Sequence, residues 1–152
     1  MDLDSAVTNL STLLQGDTAL SGWRTTHFAG KDFTVLKGNR ALNALQPSQV
    51  PALILDMEPM EVEQRVGNYA SDVNGAIACA VVWQENQPDT AYAQRIGLPE
   101  MIVKAVMGDP KLGGAARSVR VSNVQPLDGD SSAPNVRTVR FSVEAKFTVE
   151  RA

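Results

Sequence analysis

The chain has 152 residues, of which 43% are hydrophobic and 20% are charged, and its formal net charge is −3 at pH 7. These values are ordinary for one globular domain over residues 1–152, and the negative charge argues against a protein that grips nucleic acid through its phosphates. The acidic start MDLDSAV is not a signal peptide, and no apolar run reaches the roughly 18–20 residues of a membrane helix. We therefore expect a soluble protein made in the cytoplasm.

The first part of the chain predicts a helix followed by extended segments. Apolar residues at helical spacing predict an amphipathic helix over Leu3–Gly16, with the glycine as its stop. Two stretches, Trp23–Phe28 and Asp32–Leu36, are interpreted as extended, with residues 29–31 as a hairpin turn. We expect the helix to lie on an apolar surface.

The middle of the chain predicts buried strands. Ala52–Leu55 is continuously apolar, which is typical of a short strand buried on both faces. The acidic segment Met57–Tyr69 is either a loop that leads into a strand or a flap. From Val73 to Trp83, larger residues alternate with small ones, which predicts a central strand with a helix packed against its small face.

The last part predicts a second helix and a long hairpin. After a turn at Glu85–Asp89, a helix begins at Leu98-Pro99 and ends at Gly108. Residues 119–149 form an antiparallel hairpin whose polar tip, about 126–135, is flexible. Its second strand, Val139–Val149, alternates apolar and polar residues and spans more than roughly 30 Å. We predict an α+β fold with a mainly antiparallel or mixed sheet and two helices packed on one face.

Catalytic and metal-binding residues are scarce. His27 is the only histidine, and its place in an apparent strand favours a structural role. Cys79, the only cysteine, lies among alanines and valines, which favours a core position and a reducing compartment. We expect no catalytic site, no metal and no cofactor.

One set of residues has an enzymatic interpretation. Asp56 at the end of a strand, with Glu144 and Lys146 in another, is similar in residue types to the magnesium site of metal-dependent nucleases. Simple strand alternation also produces Glu144 and Lys146, and about 90 residues separate them from Asp56. A small nuclease is therefore only a remote alternative.

The order of predicted elements, with two short motifs, carries a family resemblance. Asp109-Pro110-x-Leu112-Gly113-Gly114 follows the second helix and precedes a strand from Val119, and Pro51-Ala52-Leu53-Ile54-Leu55 adds weaker support. Over nearly the whole chain, this pattern resembles the tail terminator, or tail completion, proteins of tailed bacteriophages and related neck and tail-joining proteins. Neither motif is catalytic.

The resemblance implies a structural virion protein that is assembled in the host cytoplasm. Its partners would be copies of itself in a ring, usually a hexamer, together with the tail tube protein and a head-side neck or connector protein. The ring would cap the tube, end its polymerisation and join tail to head, while DNA passes through the lumen without sequence-specific binding. The alternative within this class is a head-completion or neck adaptor, or another minor tail protein.

Eleven residues of the acidic segment and the long hairpin are candidates for the contacts with other subunits or with the tube. They are Met57, Glu58, Met60, Glu61, Glu63, Arg65, Tyr69, Arg137, Arg140, Glu144 and Lys146.

Overall fold

The computed structural model describes residues 3–38, 45–58, 61–64, 70–128 and 135–150. Its helices are α1 (Leu3–Gly16), α2 (Thr18–Phe28), α3 (Pro88–Arg95) and α4 (Leu98–Met107). Its strands are β1 (Thr34–Lys37), β2 (Ala52–Met57), β3 (Glu61–Gln64), β4 (Ala70–Gln84), β5 (Ser118–Asp128) and β6 (Val136–Glu150). Single 3₁₀ turns cover Pro47–Gln49 and Leu112–Gly114. The predicted α+β class is confirmed.

The described strands form one mixed sheet in the order β1-β2-β4-β6-β5. Strand β1 is parallel to β2, all other pairs are antiparallel, and β3 pairs with β4. The central pair of β4 and β6 stays in register from Ala70 opposite Glu150 to Gln84 opposite Val136. The predicted long final strand and its hairpin with β5 are therefore confirmed.

The core lies between the sheet and the helices. The odd-numbered side chains from Val73 to Trp83 in β4 and from Val139 to Phe147 in β6 belong to the core that packs against the helices, and Phe141 and Phe147 are only 2% and 1% exposed. A smaller apolar cluster lies on the other side of the sheet, at one end. It consists of Leu45, Ala52, Ile54, Ala80, Val82 and Val136, with Leu36 and Val50 packed against it.

The expected helix on the small face of β4 is absent from the described residues. The helices pack instead against the side of Ile77, Val81 and Trp83, because these larger side chains bury more apolar surface. The alanines at 76, 78 and 80 lie on the opposite side, which we call the open face. The prediction that a helix packs against the alanines of β4 was therefore wrong.

Residues 23–28, predicted to be extended, are helical. Helix α2 begins after Asp17, whose carboxylate accepts the Leu20 N–H at 3.0 Å, and ends at Ala29 in the left-handed region. The hydroxyls of Thr25 and Thr26 donate to carbonyls four residues earlier, at 2.9 and 3.0 Å. These bonds satisfy both hydroxyls within the helix, where threonine adopts rotamers that reach the preceding turn.

Two other predicted boundaries need correction. Helix α3 begins at Pro88, inside the predicted turn, because proline suits the first helical position. The hairpin ladder continues to Asp128 opposite Arg137, so residues 126–128 belong to β5 rather than to a flexible tip. The remainder of that tip, 129–134, lies outside the described residues.

No helix of the described ranges has the length and apolar character needed to cross a membrane.

Candidate interaction surface

The open face carries a shallow trough with a floor of small residues. Because alternate residues of a strand share a face, Ala76, Ala78 and Ala80 form a row along the middle of β4. One cavity of about 400 Å³ lies over this row between Asp56 and Arg140. A second cavity, of about 720 Å³, lies toward the β3 end of the sheet. In the described part of the chain, no helix covers Ala76 or Ala78, whereas Ala80 is buried in the smaller apolar cluster.

Charges of opposite sign flank the trough. Asp56 and Glu58 lie on the β2 side, and the basic side chains of Arg120, Arg140 and Lys146 lie on the β5 and β6 side. Glu144 forms an ion pair with Arg120. The face is therefore acidic along one flank and predominantly basic along the other.

The predicted nuclease residues are not brought together. Asp56 lies opposite Ala78, which lies opposite Ser142, so all of β4 separates Asp56 from Glu144. With neighbouring strands about 4.8 Å apart, the two Cα atoms are about 12 Å apart. Among the described residues, no group of three histidine, cysteine or acidic side chains could hold a metal ion. The described geometry does not form the nuclease arrangement.

His27 and Cys79 have apolar surroundings. His27 lies in α2, not in a strand, with its ring 5.8 Å from that of Trp23 and 6.4 Å from that of Phe28. The Cys79 thiol is buried and donates to the Ile77 carbonyl at 3.4 Å, and burial raises its pKa. Cys79 is a core residue, as predicted.

Four of the predicted contact residues share the open face. Glu58 lines the first cavity, Glu144 and Lys146 line the second, and Arg140 lines the first from the opposite flank. Arg120, which is not among the predicted contact residues, lies beside them. Its position between Val119 and Val121 could have predicted this placement. Both valines face the core, and the residue between two core-facing residues of a strand points to the other face.

The other predicted contact residues are elsewhere. Met57 packs against the main core on the helical side, and Arg137 Nε donates to the Glu85 carbonyl at 3.2 Å. Glu61 and Glu63 lie in β3, opposite Asn74 and Asp72. Met60, Arg65 and Tyr69 lie outside the described residues.

The Asp109–Gly114 motif forms a tight turn between α4 and β5. The Gly113 N–H donates to Asp109 Oδ2 at 2.8 Å, and Asn9 of α1 donates to the Leu112 carbonyl at 2.7 Å. Leu112 is fully buried, and Gly113 has φ +67°, a conformation that glycine adopts without strain. This motif therefore has a structural role, which is to fasten the helix-to-strand turn onto α1.

The chain matches no protein-family model and no curated protein sequence. It is similar in structure to a chain of the solved virion of a native gene transfer agent (GTA) particle. The likeness covers 92% of each chain, with a TM-score of 0.51 and 11% sequence identity. The two chains share a fold. At this identity, the likeness concerns the fold alone.

Proposed function

We propose that this chain is a structural virion protein that acts as a tail terminator. A ring of copies caps the tail tube, ends its polymerisation and forms the joint to the head or neck, and DNA passes through the lumen. The observation that carries the proposal is the fold shared with a chain of the GTA virion over 92% of both chains. The resemblance to tail terminators in element order and in the Asp109–Gly114 turn narrows the proposal from virion protein to terminator.

The open face supports a role in assembly rather than in catalysis. Its trough is shallow, its flanks carry opposite charges, and Glu144 is engaged by Arg120 instead of being available for a metal. Surfaces with complementary charges select and orient protein partners. A terminator needs two such contacts, one with its neighbour in the ring and one with the end of the tube.

The test is to polymerise the tail tube protein with and without this chain. Light scattering gives the mass of the chain alone and of its complexes, and negative-stain images show the ends of the tubes. The proposal predicts closed rings, rings seated at tube ends, and tubes that stop growing after the chain is added. The control is the distribution of tube lengths when the tube protein polymerises without this chain.

Two results would overturn the terminator assignment. A chain that ignores the tube but binds the portal or another head-side connector would be a neck adaptor. Magnesium-dependent DNA cleavage that is lost in Glu144→Ala would establish the nuclease instead.

A further inference from the structure

Among the described residues, no strand covers one outer edge of the sheet over its acidic part. Strand β1 pairs with β2 only from Ala52 to Leu55. No described strand lies beside Asp56–Glu58 or beside β3, whose only described partner is β4. Unpaired backbone N–H and C=O groups at such an edge can accept a further strand.

At the opposite edge, no strand within the described ranges pairs with the outer side of β5, but only half of this edge is regular. The β5–β6 ladder shifts register between Ser122 and Gln125, and Asn123 has φ +52°. Pro126 has no N–H to donate to another strand. Bulges and prolines block edge pairing, which leaves Ser118–Ser122 as the part of this edge suited to it.

These two uncovered stretches lie at the same level along the sheet. Arg120 is opposite Glu144, which is opposite Ala76, and the Ala76 carbonyl accepts the Glu58 N–H at 2.9 Å. The same steps across the strands place Ser122 level with Asp56. The strands also run in opposite directions, because β5 and β2 are separated by two other strands in an antiparallel series.

The charges of these stretches are complementary. Glu58 lies on the open face at the acidic edge, and Arg120 lies on the same face at the other edge, where its side chain is 79% exposed. A second copy placed beside the first without a shift along the strands brings its Glu58 to the level of Arg120. Opposite charges at facing positions of paired strands are favourable.

We propose that Ser118–Ser122 of one copy pairs antiparallel with the edge formed by Asp56–Glu58 and β3 of a second copy, so that Arg120 contacts Glu58 of the partner subunit. The inference rests on the proposed ring and specifies how its subunits join. Because the two edges differ, the contact is head-to-tail, an interface type that closes into a ring when the rotation from one copy to the next permits closure. Arg120 would then lie between two carboxylates, its own Glu144 and the partner's Glu58.

Paired cysteines test this contact directly. A chain that carries both Glu58→Cys and Arg120→Cys should form a ladder of disulfide-linked oligomers when its rings, free or seated on tubes, are oxidised. A chain with Glu58→Cys and Lys104→Cys is the matched control, because Lys104 is an exposed residue of α4 that forms an ion pair with Glu100. The parent chain controls for Cys79, which is buried.

Charge reversal tests the same contact without cross-linking. Arg120→Glu or Glu58→Arg alone should raise the concentration needed for half-assembly by about tenfold or more, and the two together should restore it. Lys104→Glu makes the same charge change away from both edges and should leave assembly unchanged. Circular dichroism of each variant confirms that it is folded.

A ladder together with rescue by the double reversal supports the proposal. Cross-linked dimers alone would indicate a two-fold contact and overturn it. Rings that neither cross-link nor respond to the reversals would refute the edge contact while leaving the terminator function intact. Failure of the unmodified chain to form rings, alone or on tubes, would refute the terminator function and this contact with it.

Discussion

The buried amide of Gln94 should stabilise the fold by joining two tryptophans from different elements. The Trp23 indole N–H donates to the Gln94 backbone carbonyl at 2.6 Å, and the Trp83 indole N–H donates to its side-chain oxygen at 2.8 Å. The Gln94 amide nitrogen donates to Glu85 at 3.2 Å. Gln94 is 3% exposed and Trp83 is fully buried, so water cannot replace these partners. The network holds α3 against α2 and β4.

Replacing Gln94 with methionine keeps the length of the side chain and removes both of its hydrogen bonds. The Trp83 N–H is then buried without a partner, whereas the bond from Trp23 survives because it goes to the backbone. An unsatisfied buried donor costs about 1–3 kcal/mol. For a chain of this length, that loss lowers the melting temperature by about 2–12 °C.

Urea unfolding followed by tryptophan fluorescence measures this loss, at a protein concentration too low for assembly. The matched measurement repeats the substitution in a Trp83→Phe background, where no indole N–H remains to be left unpaired. Gln94→Met should cost about 1–2 kcal/mol less there. An equal cost in both backgrounds, or a cost below about 0.5 kcal/mol in the parent, would refute the reasoning.

Three further substitutions test the core, the buried thiol and the turn. Phe147→Ala should cost about 3–5 kcal/mol in urea unfolding, whereas Lys146→Ala, its neighbour on the opposite face, should stay within about 0.5 kcal/mol. Because burial raises the pKa of Cys79, only the unfolded state loses the thiol proton above about pH 9, and the free energy of unfolding should fall there by up to about 1.4 kcal/mol per pH unit. Cys79→Ala should remove this pH dependence of the free energy of unfolding. A thiol that reacts freely with Ellman's reagent in the native protein would contradict the assumed burial of Cys79. Gly113→Ala should cost about 1–2 kcal/mol, because φ is +67° and a Cβ would lie 3.2 Å from Asn9 Nδ2, whereas Gly16→Ala, with no atom within 4 Å, should cost nothing.

The elements that the sequence predicted well are those whose buried side is uniformly apolar. Strand β6 places only apolar residues on its helical side from Val139 to Phe147, so a period of two is unambiguous. Helix α4 buries Leu98, Ile102, Ala105 and Val106, which is the stripe that its sequence predicts. In both elements, the local pattern and the tertiary contacts favour the same structure.

The two helices that were missed each bury a polar residue. Helix α2 buries Arg24, whose guanidinium lies 4.5 Å from the Phe33 ring centroid and donates to the Gln15 carbonyl at 2.8 Å, and desolvation lowers its pKa. Helix α3 buries Gln94. A polar residue at a buried position interrupts the apolar stripe from which a helix is predicted. The hydrogen-bond partners of these buried polar residues come from other elements. The sequence around each residue therefore does not show that its polar groups are satisfied.

The same limit applies to the open face. The sequence placed Arg140, Glu144 and Lys146 on one polar face of β6, which alternation alone determines. It could not place Arg120 and Glu58 at one level on opposite edges, because that relation depends on three strand registers set by nonlocal pairing.

The alternation in the middle of β4 and β6 separates the residues that stabilise the fold from those available for the proposed assembly. Odd residues such as Phe147 meet the helices, so they determine whether the sheet folds. Even residues such as Lys146 lie on the open face, whereas Val82 and Val136 are even residues buried in the smaller apolar cluster. At the exposed even positions, such as Arg140 and Lys146, a charge can therefore be exchanged at little cost to folding, since exposed pairs contribute only about 0–1 kcal/mol. In the proposed assembly, the exposed part of the open face can therefore change to fit a neighbour without changes in the core. The proposed ring therefore predicts that variants that impair its formation cluster at exposed even positions, and that variants that impair folding cluster at odd positions and at the buried even positions Val82 and Val136.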